Sequence, residues 1–79
     1  MQTAPSYVDI AQRWRTQNVE HANSGIVMIW DGQVYGWKNC LRDAQHERPG
    51  VIAVDVDENV FIAEGGNDYD GAKCWVAHS

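Results

Sequence analysis

Lysine and arginine are scarce in this 79-residue chain: six in all, against eleven aspartates and glutamates, for a net charge of −5. The cations are also scattered, at Arg13, Arg15, Lys38, Arg42, Arg48 and Lys73. Affinity for a phosphate backbone comes mainly from clustered cations. Direct nucleic-acid binding is therefore disfavoured, even though Trp30, Tyr35 and Trp37 could stack on bases. Long apolar runs are missing too. The longest, Ile26–Trp30, falls far short of the roughly 20 residues a membrane helix needs, so no membrane span is expected. The opening Met-Gln-Thr-Ala-Pro-Ser lacks a basic stretch followed by an apolar one, so no secretory leader is expected and the chain reads as cytosolic. Cysteine is limited to Cys40 and Cys74. In a reducing compartment both are expected to be free thiols in the core, with a disulfide between them as the alternative.

What is present fits one small folded domain over residues 1–79, because 44% of the residues are apolar. A core of this size leaves little room for a buried catalytic chamber. At the N-terminus, Ser6 is placed to cap a helix over about 6–18, and Asp9 suits its positive end. Tyr7, Ile10, Ala11 and Trp14 follow the i, i+3, i+4, i+7 spacing of one apolar face, with Arg13 and Arg15 on the other. A sheet over about 26–77 follows. Ile26–Trp30 and Gln33–Trp37 read as a hairpin closed by Asp31-Gly32, a pair suited to a type I′ turn. That register pairs Met28 with Tyr35 and Ile26 with Trp37. It gathers Ile26, Met28, Trp30, Tyr35 and Trp37 on one face and Val27, Ile29 and Val34 on the other. Both faces are apolar, so either both are covered or one is an exposed aromatic patch.

Lys38 to Arg48 suits a short helix or turn with Leu41 and Ala44 inward, and Pro49-Gly50 ends it. Val51–Val56 and Val60–Glu64 read as third and fourth strands joined by Asp57-Glu58-Asn59, with Asn59 left-handed and Val56 paired to Val60. A closing edge strand fits Ala72–Ala77. The fold class expected is α+β: one N-terminal helix packed on a small antiparallel sheet of four or five strands.

The chemistry of an enzyme or metal site finds little support. Asp55, Asp57 and Asn59 match ligand positions one, three and five of an EF-hand. Val60, however, stands where its glycine belongs and Gly66 where its bidentate glutamate belongs. Cys40, His46, Cys74 and His78 lack zinc-ligand spacing. Cys40 with His46 has no orienting partner for nucleophilic catalysis. Gly65-Gly66 lacks the lysine of a phosphate loop. No catalytic residue, cofactor or metal is expected.

The strongest signal is a charge run. Between Asp55 and Asp70 lie six carboxylates, Asp55, Asp57, Glu58, Glu64, Asp68 and Asp70, and no lysine or arginine. Such a run either is a solvated face or projects a negative field that attracts proteins which themselves bind nucleic acid. The candidate partner-binding residues are those six, with Tyr69 as an aromatic anchor beside them and Trp30 and Trp37 as further anchors.

Two segments carry a family resemblance: Trp30-Asp-Gly-Gln-Val-Tyr-Gly-Trp-Lys-Asn39, continuing into Leu41-Arg-Asp43, and Val60-Phe-Ile-Ala-Glu-Gly-Gly-Asn-Asp-Tyr-Asp-Gly-Ala-Lys-Cys-Trp75. Together they resemble small acidic antirestriction proteins of the ArdR type, carried by plasmids and other mobile elements. Size, acidity and layout also resemble small anti-CRISPR proteins, including inhibitors of type I-C surveillance complexes. The resemblance spans residues 24–77 and implies a counter-defence role in a bacterial cytoplasm. The implied partner is a basic, nucleic-acid-binding protein: a CRISPR surveillance complex, or alternatively a restriction enzyme. A small non-enzymatic interaction module, monomeric or dimeric, is the other reading.

Overall fold

The computed structural model describes residues 6–78; the readings made for residues 1–5 and for Ser79 lie outside them. Helix α1 spans Tyr7–Gln17. It starts at Ser6, whose Oγ accepts the Asp9 amide at 3.1 Å, and it stops at Asn18. This is the cap the sequence predicts. The buried stripe is rotated from the predicted one. Ala11 and Arg15 are its buried centre, with Val8, Ile10 and Trp14 packed beside them, while Tyr7 is exposed at the rim.

Five antiparallel strands follow in the spatial order β2-β1-β3-β4-β5. They span Ile26–Trp30, Gln33–Lys38, Ile52–Val54, Val60–Glu64 and Cys74–Ala77. This is the α+β architecture expected. Helix α1 lies on one face against Val27, Ile29, Ile52 and Val54. The other face carries Ile26, Met28, Val51, Ala53 and Ala63, covered by Ala44 and Ala72, with Leu41, Phe61 and Trp75 alongside. Alanine at positions 44, 53, 63 and 72 leaves room for irregular chain to lie close to the sheet. Both faces are thus covered at their centres. Among the described residues no helix is long and apolar enough to cross a membrane.

Two registers differ from expectation. Asp31 and Gly32 both have positive φ, 54° and 76°, as a type I′ turn requires, and Ile29 pairs with Val34. Beyond that the ladder slips: Met28 pairs with Gly36 and Val27 with Trp37, so Tyr35 is the extra residue of a bulge. A slip of one residue turns every later side chain to the opposite face. Trp37 therefore sits on the helix side, stacked on His21 with ring centroids 4.0 Å apart, its Nε1 donating to the Ser24 carbonyl at 3.0 Å. The expected aromatic face of Trp30, Tyr35 and Trp37 does not form. In the second hairpin Val54, not Val56, pairs with Val60, and Glu58, not Asn59, has the left-handed φ of 69°. Asp55 causes the change: its carboxylate ends the ladder early by capping the turn. The shift is two residues, so Ile52, Val54, Val60 and Ile62 keep the shared face while Val56 is exposed.

Two polar clamps hold the layers. Arg15 is buried, and its guanidinium donates to four carbonyls: His21 at 2.6 Å, Ser24 at 2.7 Å, Gly25 at 2.9 Å and Val54 at 3.3 Å. Burial pulls its pKa below the ordinary arginine value, and the charge of Asp55 opposes that pull. On the opposite face, Glu47 accepts from the Tyr35 hydroxyl and forms an ion pair with Lys38 at 3.0 Å. The Lys38 ammonium is buried and makes that ion pair without a well-directed hydrogen bond. The cysteines depart from expectation as well. Cys40 and Cys74 are both free and exposed, outside the core.

Arg15→Met should lower stability by about 2–4 kcal/mol in urea unfolding followed by tryptophan fluorescence, because four carbonyls lose their donor at once. A loss below about 0.5 kcal/mol would remove Arg15 from this role. The second clamp is testable by alkali. Burial, then the hydrogen bond and charge of Glu47, raise the Tyr35 pKa, against a smaller opposing effect of Arg48. The unfolded chain then releases this proton first, near pH 10, while the folded chain retains it. Tyr35 should therefore contribute full stability below pH of about 10 and lose it progressively above. Wild type should lose more stability than Tyr35→Phe on raising the pH through that range; equal losses would contradict the assignment.

Candidate functional site

Antiparallel pairing separates the charge run. Strand β3 ends in the Asp55–Asn59 turn at one end of the sheet. Strand β4 then carries the chain back, and Glu64 opens the β4–β5 connection at the other end. The two groups are therefore set apart along the sheet by the length of the five-residue strand β4, about 14 Å. That exceeds the screening length of about 8 Å at physiological salt. The charge run, continuous in sequence, is two separate acidic groups in space.

The first group is largely engaged with its own turn. Asp55 Oδ1 accepts the amides of Asp57 at 3.0 Å and Asn59 at 2.8 Å, and Oδ2 accepts from Asn59 Nδ2 at 3.1 Å. Glu58 accepts from the Gln12 side chain on α1. Only Asp57 of the three is free of a side-chain partner among the described residues.

The second group is built to stand out. Asn67 and Gly71 exchange backbone hydrogen bonds at 3.3 and 2.9 Å, closing a narrow loop. Asn67 Oδ1 accepts the amides of Tyr69 at 2.9 Å and Asp70 at 2.7 Å, while its Nδ2 donates to Asp70 Oδ2 at 3.2 Å. This is an Asx-type cap within the loop. Gly71 has φ 87°, and a Cβ there would meet the Gln45 carbonyl oxygen at 1.9 Å, so the loop's base lies directly on neighbouring backbone. Ala72 N donates to the Glu47 carbonyl at 2.8 Å. At the tip Asp68 and Asp70 are exposed and Tyr69 is 96% exposed. The ion pairs among the described residues are Lys38–Glu47 and Arg42–Asp43, so none of the six carboxylates forms a direct ion pair with a described cation.

The tryptophans have different fates. Trp30 is partly exposed, with the Arg48 guanidinium 4.7 Å from its ring centroid. Trp37 is engaged inside the fold and offers no free face of the expected kind. The described residues bring no three of histidine, cysteine, aspartate and glutamate together in a way that could hold a metal ion. Sequence reasoning missed Asn67 and Glu47. Asn67 carried a signal, an asparagine opening a loop closed by glycine; Glu47 carried none, because its partners Lys38 and Tyr35 are brought to it only by the bulged strand. Comparison with protein-family models, curated proteins and solved structures found no match.

Asn67→Ala should loosen the tip while leaving the sheet intact. Amide exchange at Tyr69 and Asp70 should accelerate by about tenfold or more, for a loop cap worth about 1–2 kcal/mol. Unchanged exchange at both amides would show that the side chain does not hold the loop.

Proposed function

We propose that this protein is a non-catalytic inhibitor of a DNA-targeting bacterial defence system. Its target on this reading is a type I CRISPR surveillance complex, of type I-C by resemblance, with a restriction enzyme as the alternative. It binds a basic surface through which that complex grips DNA, and blocks target binding by occupancy, without turnover, cofactor or metal. The observation that carries the reading is the Asn67–Gly71 loop. A tyrosine 96% exposed stands between two exposed carboxylates on a backbone fixed by Asn67.

The physics of such a contact is specific. Asp68, Asp70 and the nearby Glu64 stand in for phosphates and pair with lysine or arginine of the target. Tyr69 supplies an aromatic anchor that slows dissociation once it is desolvated. The negative field speeds encounter. Asp57 at the other end of β4 makes a separate, weaker contact, because screening uncouples the two groups. A contact through the hairpin's aromatic face is less favoured, since Trp37 turns inward.

Asp68→Lys combined with Asp70→Lys should weaken target binding and inhibition by at least about tenfold in a folded protein. Binding should weaken steeply as salt rises, and DNA offered as competitor in a pull-down should displace the inhibitor. A folded double variant that inhibits as wild type does would place the contact elsewhere.

A further inference from the structure

A second binding feature lies on the helix side of the sheet. Between α1 and the turn end of β2 runs an open groove of about 990 Å3. Its walls are mostly apolar: Tyr7, Ile10, Trp14, Val34 and Val60 line it. Although the chain has eleven aspartates and glutamates, none lines this groove. The neighbouring concavities carry Asp31 and Glu47, or Asp55 and Glu58. Among the described residues that line it the charged group is the exposed Arg13, with His78 close by, its ring 6.0 Å from that of Tyr7. The complementary occupant has an apolar or aromatic body flanked by negative charge.

This chain displays such a segment. Tyr69 is almost fully exposed, with a carboxylate on either side, and nothing in its own fold covers it. We propose that the groove receives the Asp68–Tyr69–Asp70 tip of a second copy, and that two copies exchange tips across a two-fold axis. Topology permits the closure. Ile29 pairs with Ile52 and Ile52 with Ile62, so the Asp31-Gly32 turn and the start of the β4–β5 loop share one end of the sheet. The tip rises beside β4 and β5; the groove runs along α1 from Val60 and His78 to Gln33 and Val34 of β2, the edge strand on the opposite side, where it opens beside Gly32 of the turn. A two-fold axis at that end sets the tip of each copy against the β2 side of the other, making the contact reciprocal and self-limiting. Tyr69 then packs among Tyr7, Ile10 and Trp14, and Arg13 meets Asp68 or Asp70.

Self-association would mask the loop that the functional reading assigns to the defence target. On that reading, and only on it, the dimer is a reserve form that must separate to inhibit. Self-association itself requires no target, so its failure and the failure of the functional reading are separately visible.

The test is sedimentation velocity on the full chain from about 1 µM to about 1 mM. A concentration-dependent dimer is expected. Tyr69→Ala and Arg13→Glu should each weaken it at least about tenfold; both positions are exposed, so the fold is retained. The decisive arm mixes two chains, one with Arg13→Glu and one with Asp68→Lys and Asp70→Lys. Each alone opposes like charges at both contacts. Mixed, each contact pairs opposite charges, so a 1:1 heterodimer should form. A monomer throughout, a dimer indifferent to Tyr69→Ala or to Arg13→Glu, or a mixture that stays monomeric would each overturn the proposal.

Discussion

The fold turns on one buried guanidinium. Among the described residues Arg15 faces no carboxylate at hydrogen-bonding distance; it is held by four carbonyl oxygens drawn from the 21–25 segment and the end of β3. A guanidinium has five donors in a fixed plane, so it can gather chain segments that lack a common ladder. The carbonyls it collects lie in an irregular turn that would otherwise hold unpaired acceptors under the helix. The stack of Trp14, His21 and Trp37 depends on the same turn, with centroid spacings of 5.8 and 4.0 Å. One side chain thereby joins the helix, the turn and the sheet. Asp55 supports the charge from the second hairpin, which ties the first acidic group to the scaffold rather than to a partner.

Features set by neighbours in sequence were legible. The Ser6 cap, the Asp31-Gly32 turn, the inward Leu41 and Ala44 and the parity of the third and fourth strands all follow from local chemistry. Features set by long-range partners were not. The bulge at Tyr35 answers to Glu47, twelve residues on, and to the seat of Trp37 against Ser24 and His21. Arg15 looks like a solvated helix position until the carbonyls arrive to meet it. Periodicity reports which side chains share a face; it does not report when a polar one is drawn inside by acceptors elsewhere.

The charge run shows the same limit in another form. Six carboxylates within sixteen positions look like one patch, but an antiparallel hairpin sends the two halves of such a run to opposite ends. Adjacency in sequence became separation in space because strand β4 lies between them. Asp55 also shows that a carboxylate can be structural when amides lie two and four residues on. In the Tyr69 loop the capping is supplied by Asn67, which leaves Asp68 and Tyr69 with no side-chain hydrogen bond among the described residues.

That division of labour within the loop has an evolutionary corollary. Asn67, Gly66 and Gly71 set the shape, and the Gln45–Glu47 backbone seats it. The letters at 68 and 69 are unconstrained by folding. Substitution there carries little risk to the scaffold, whereas change in the frame disturbs the loop directly. Sequence change is thus expected to be tolerated at the apex and resisted at the hinge points beneath it.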